Sequence, residues 1–239
     1  MSLLFVGAHP DDELYAAGLL AALAERGIET HLLCLTRGEG GTTGGIATRE
    51  NLGQVREQEL RASAAALGIA TVELMGYVDP FPDGRARPPE VAPQVLVREI
   101  EKRKTEALLT HGSNGEYGHP AHRLIHEAAR LVQGVALYTF NAAAPGISIW
   151  GGENVDDPAD LVLDVTPWLE AKTRAFAAHA TQREVWRRIG DPSPYETFRR
   201  WGTEDPLRSW LGVGAGLAPA REGASPSPTS KAVRPKGIE

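Results

Sequence analysis

The 239-residue chain carries a single cysteine, so no internal disulfide forms. Cys34 lies among His31, Leu32, Leu33 and Leu35, which marks it as a small apolar residue of a buried strand. Positive charge is not in excess: the formal net charge is -6, and no basic patch marks a nucleic-acid partner. The densest charged run, residues 98–104, mixes both signs and reads as a solvated helix end. No stretch approaches the ~20 apolar residues of a membrane span. The N-terminus lacks a basic region and its apolar run breaks at His9, so no signal peptide is read there. The expected location is cytoplasmic. The glycines at 38, 40, 41, 44 and 45 do not make a dinucleotide fingerprint after the first strand. No internal repeat is visible.

What is present is an alternation of strand and helix. Strands are expected at 3–8, 29–35, 71–76, 106–110, 135–140 and 160–165. Helices are expected at 11–26, 50–67, 89–104, 120–133 and 167–181, two of them ended by Gly27 and Gly68. This pattern predicts an α/β fold, a single Rossmann-like three-layer domain with a mostly parallel sheet covered on both faces. The domain is expected to span residues 1–215, with 216–239 a disordered tail that lacks an apolar pattern. Two long loops, 36–49 and 77–89, follow strands and fall at the carboxyl edge of the sheet.

Chemistry concentrates at that edge. Ala8-His9-Pro10-Asp11-Asp12-Glu13 follows the first strand directly, and Glu116-Tyr117-Gly118-His119-Pro120-Ala121-His122 lies beyond the fourth. Ligands of open α/β sheets bind outside the carboxyl ends of the strands. His9 and Asp12 are three apart, as are His119 and His122, a spacing that turns two side chains to one side of a helix start. A catalytic zinc takes three nitrogen and oxygen ligands and keeps a position for water. His9, Asp11, Asp12, His119 and His122 therefore divide into three ligands, a base and an acid.

At these residues the sequence resembles the PIG-L/LmbE-like deacetylases. The first motif, the second from Tyr117 to His122, Thr36-Arg37-Gly38-Glu39-Gly40 and the helix Arg56-Glu57-Gln58-Glu59-Leu60-Arg61 all carry the likeness, which covers roughly residues 2–180. The resemblance implies a metal-dependent hydrolase, with Zn2+ or another divalent metal such as Fe2+. It would remove the acetyl group from an N-acetylglucosamine conjugate, a small-molecule substrate, through a metal-activated water. It implies His9, Asp12 and His122 as metal ligands, Asp11 as general base, and His119 as the group that stabilises charge and protonates the amine. It implies Tyr117 as hydrogen-bond donor to the oxyanion, and Arg56 and Asp79 as sugar contacts. One position departs from the family pattern: Ala121 stands where an aspartate is usual. Loss of that carboxylate is expected to lower the pKa of His119 unless another acid, such as Glu116, replaces it.

Other residues have plainer readings. Glu13 is expected to compensate the helix dipole, and Glu39 to hold its loop. His111 serves equally as a substrate contact or a loop hydrogen bond. The tryptophans 150, 168, 186, 201 and 210 are packing residues, with Trp150 placed to stack on a sugar ring. The alternatives are an amidase for a glucosamine-based thiol conjugate and a non-catalytic Rossmann-like sugar- or nucleotide-binding module. A homo-oligomer is compatible with the sequence.

Overall fold

Along the first strand, β1 (Ser2–Gly7), apolar residues are continuous and both faces are buried. Leu3 and Phe5 enter one core, and Leu4 and Val6 enter the other. A slip of one residue would exchange the two sets, each large side chain being worth about 1.5–3 kcal/mol when buried. The computed structural model describes residues 1–81, 84–147 and 151–212. After β1 come α1 (Ala17–Glu25), β2 (Glu29–Thr36), α2 (Leu52–Leu67), β3 (Thr71–Tyr77), α3 (Pro93–Glu101) and β4 (Ala107–Thr110). A short turn, α4 (Gly115–Gly118), leads to α5 (Pro120–Ala129) and β5 (Ala136–Phe140). The remainder is β6 (Ala142–Ala143), β7 (Asn154–Pro158), β8 (Leu161–Asp164), α6 (Leu169–Ala178), α7 (Arg183–Ile189), β9 (Tyr195–Trp201) and α8 (Pro206–Leu211).

The main sheet has seven strands in the order β3-β2-β1-β4-β5-β9-β8. Strands β1 to β5 pair in parallel, and β9 runs antiparallel to both β5 and β8. Helices α1, α2 and α6 cover one face and α3 and α5 the other. The expected three-layer, mostly parallel architecture is present.

Three expectations need correction. The helix assigned to 11–26 does not begin at Asp11, whose φ of 106° lies outside the helical region. A 3-10 turn over Asp12–Ala16 precedes α1, because the Asp12 carboxylate folds back onto the amides of Ala8 and His9. The helix assigned to 167–181 ends at Ala178, and His179 begins a separate turn. Strand β9 went unforeseen, because Glu196, Thr197 and Phe198 are buried in succession and leave no alternation to read. Trp150 and the tail from 216 lie outside the described residues.

Candidate active site

Strands β1 and β4 are neighbours, and the chain leaves them toward opposite edges of the sheet. That reversal opens a crevice at their carboxyl ends. His9, Asp11 and Asp12 leave β1, His111 and Glu116 leave β4, and His119 and His122 open α5. The sequence brings Pro120 to the first helical position of α5, where its missing amide costs nothing.

Asp12 is 3% exposed. Its Oδ2 accepts the amides of Ala8 at 2.7 Å and His9 at 2.8 Å, and His111 Nε2 at 3.1 Å. Its Oδ1 remains and faces His122 Nε2 at 3.5 Å. Burial alone would raise the Asp12 carboxyl, but His111 and His122 hold it well below the usual carboxylate range. His122 Nε2 also lies 3.3 Å from His9 Nδ1, and His9 Nδ1 lies 3.8 Å from Asp12 Oδ2.

Glu116 organises the other side. Its Oε2 takes His111 Nδ1 at 2.9 Å and His122 Nδ1 at 2.6 Å. Its Oε1 accepts the Gly112 amide and Asn154 Nδ2, both at 3.0 Å. A Cβ on Gly112 would sit 2.1 Å from the Asn154 side chain, so only glycine allows this approach. His111 is fully buried between two carboxylates. Burial opposes its charge, but Asp12 and Glu116 outweigh burial and lift it to about 9. His111 thus spans the two carboxylates, Nδ1 on Glu116 and Nε2 on Asp12, and this pairing favours its charged form. His122 donates one nitrogen to Glu116 and presents the other to His9 and Asp12, the orientation second-shell carboxylates impose on metal-binding imidazoles.

Asp11 follows a different course. Arg56 Nη2 lies 3.1 Å from its Oδ1. Burial raises the Asp11 carboxyl to about 6, with Arg56 opposing and Asp12 reinforcing. The Asp11 amide donates to Glu13 Oε2 at 3.0 Å. Glu13 is therefore no solvated dipole compensator: it is fully buried and bound to Ser63 and His179 as well. Arg56 is 3% exposed and also donates to Gly38 O at 2.8 Å and to Pro10 O. A Cβ on Gly38 would meet its guanidinium at 2.1 Å. Any sugar contact by Arg56 shares the guanidinium with these partners.

His119 caps α5, its Nδ1 accepting the Ala121 amide at 3.3 Å. Burial, then His9 and His122, push it down to about 3. Glu116 does not replace the carboxylate absent at Ala121, since its oxygens go to His111, His122, Gly112 and Asn154. Tyr117 is exposed, with its ring edge-on to those of His119 and His122. Asp79 Oδ1 lies 3.4 Å from His9 Nε2, and its Oδ2 accepts the Gly40 amide at 3.1 Å. Glu39 does hold the loops together, accepting the Asp79 amide at 3.2 Å. Cys34 is buried with its thiol on Thr36 O, and Trp186 packs on Tyr15.

The donors suit a metal ion. Two overlapping triads, His9–His119–His122 and Asp12–His111–His122, each bring one donor atom per residue within 4.8 Å. A tetrahedral ion with bonds of ~2.0–2.1 Å needs donors about 3.3 Å apart. His122 is common to both triads; it lies 3.3 Å from His9 and 3.5 Å from Asp12 Oδ1, while His9 is 3.8 Å from the other Asp12 oxygen. His9 Nε2, stretched toward Asp79, is buried without a good hydrogen bond.

Residues 4–132 match the family described as PIG-L, GlcNAc-PI de-N-acetylase. That stretch is more than half of the chain and contains every candidate site residue. The chain belongs to the PIG-L family. One relative, a 1D-myo-inositol 2-acetamido-2-deoxy-alpha-D-glucopyranoside deacetylase of Nakamurella multipartita, is 31% identical over 83% of this chain and 88% of its own. A probable N-acetyl-alpha-D-glucosaminyl L-malate deacetylase 2 of Bacillus anthracis is 31% identical over 75% and 80%. Among solved structures, a 4-carboxy-2-hydroxymuconate hydratase of Pseudomonas putida superposes with a TM-score of 0.61, 23% identity, and coverage of 85% and 98%. Chitobiose and teicoplanin deacetylases share that PIG-L fold. The fold thus hosts a hydratase as well as deacetylases, so the reaction has to be argued from the site.

The two motifs together named the residues that the fold brings to this crevice. Asn154, Ser63 and His179 were missed: Ser63 and His179 lie among small apolar residues, and Asn154 is one polar residue among several acids at 153–160.

Proposed function

We propose that the chain is a metal-dependent hydrolase that removes the acetyl group from an N-acetylglucosamine conjugate. One observation carries this reading: His9, Asp12 and His122 converge while Asp11, beside them, keeps its carboxylate for another task. The names of the two relatives share an N-acetylated glucosaminyl group and differ in what it is joined to. We assign that shared group as the substrate here.

The residues proposed to hold the ion are His9, Asp12 and His122, with zinc as the ion assigned. When bound, a divalent ion supplies a water of lowered pKa and a Lewis acid for the amide carbonyl. Asp11, raised to about 6, is ionised at neutral pH yet basic enough to take a proton from water. An amine leaves only when protonated. His119 lacks a carboxylate partner and is a poor proton store, so Asp11 returns the proton to the nitrogen. His119 and Tyr117 donate hydrogen bonds to the charge that develops on the carbonyl oxygen, a term often worth about 3 kcal/mol per donor. Asp79 is assigned a sugar hydroxyl, and Arg56 steadies Asp11. No described helix is long and apolar enough to cross a membrane, and a cytoplasmic location is part of the proposal.

The test is release of free amine from a panel of N-acetylglucosamine conjugates by metal-loaded protein, with and without a chelator. Turnover that survives complete metal removal refutes the reading.

A further inference from the structure

Asp11 sits at φ 106° and ψ -11°, a conformation side chains rarely adopt. Such a residue persists only where its surroundings over-determine it. Its amide is held by Glu13 Oε2. The other Glu13 oxygen takes Ser63 Oγ and His179 Nε2, both at 2.5 Å. Glu13, Ser63 and His179 are all fully buried.

His179 lies well outside the 4–132 stretch that matches the family. The turn that carries it is itself pinned. Thr181 donates its amide and hydroxyl to Glu59 of α2 at 2.8 and 2.6 Å. Gln182 donates to Thr42 O of the glycine-rich loop at 2.9 Å. One turn therefore fastens at once to α2, to the loop at the rim and, through Glu13, to Asp11.

We infer that His179 is a positioning residue: with Ser63 it locks Glu13, and Glu13 holds Asp11 in the strained turn that sets its carboxylate beside Arg56 and Asp12. The inference rests on Asp11 as the proton-transfer group. A merely structural His179 would lower thermal stability and leave kcat per folded molecule intact.

Length separates the two roles. The Gln amide nitrogen reaches where His Nε2 lies, and the Asn amide falls short. In zinc-loaded protein, His179→Asn is expected to lower kcat on an N-acetylglucosamine conjugate by about 10- to 100-fold. KM and metal stoichiometry stay unchanged, and hydrogen exchange rises in the 9–14 peptide. His179→Gln recovers most of kcat and the exchange protection. Wild-type kcat and exchange in His179→Asn, or a loss confined to metal content, overturns the inference. If His179→Asn does not fold, Ser63→Ala, which removes the other bond to the same Glu13 oxygen, is read by the same measures. Asp11→Asn is run alongside. Full turnover there refutes Asp11 as the base, while exchange still decides whether His179 holds the turn.

Discussion

Asp11 and Asp12 are adjacent, chemically identical and both buried, yet their surroundings drive them apart. Asp12 is ringed by donors: two backbone amides and His111 on one oxygen, His122 facing the other. Asp11 is buried with Arg56 and, more weakly, His179 favouring its charge while the carboxylates of Asp12 and Glu13 oppose it. One carboxyl is held far down and the other raised to about 6. The partner set, not the residue type, assigns one aspartate to a cation and the other to a proton.

The sharpest way to break this contrast is Asp12→Ala. It is expected to lose stoichiometric metal and all measurable turnover, read by elemental analysis and free-amine release. Asp11→Asn is expected to keep the metal and lose kcat by about 10²–10⁴-fold. In the native enzyme, the acid limb of kcat/KM should fall as Asp11 gains its proton, below pH 6 because a bound cation lowers the carboxyl that is raised to about 6 in the metal-free site, and flatten in Asp11→Asn.

The candidate cluster was legible because His9, Asp11 and Asp12 sit within five residues of the end of β1, and His119 and His122 within four of one helix start. The strand and helix alternation was legible because parallel strands buried on both faces are continuously apolar. What supports the cluster was not. Glu13 looks like any acid in a first helical turn, since its partners Ser63 and His179 lie 50 and 166 residues away. Asn154 reaches Glu116 across 38 residues, from a stretch without periodic pattern. Local spacing encodes which groups meet the ligand; distant pairs encode how they are aimed.

A smaller effect tests that division. Glu116→Gln keeps the three proposed ligands but weakens the orientation of His122. Metal affinity should drop by about 10- to 100-fold, measured by chelator competition. Smallest is a pH effect on metal-free protein. His111 is lifted in the fold from 6.5 to about 9. Its stabilising contribution is complete below pH 6.5 and fades as pH rises through about 9. The Tm of stripped protein should therefore decline across that window, and the decline should flatten in His111→Gln.

Helix α1 is preceded by Ala16, which offers no capping side chain. The amides of Gly18 and Leu19 are instead accepted by Glu196 at 2.8 and 2.9 Å, from strand β9, with buried Lys172 bound to the same carboxylate. The acceptor thus arrives 178 and 177 residues after the donors. During synthesis the His9–Asp12 motif leaves the ribosome early, but the helix behind it has no cap until β9, the last described strand, emerges. Biogenesis of this enzyme therefore runs against its reading order: the first motif translated is among the last to be secured, and a chain interrupted before β9 carries every proposed ligand without the Glu196 that caps α1.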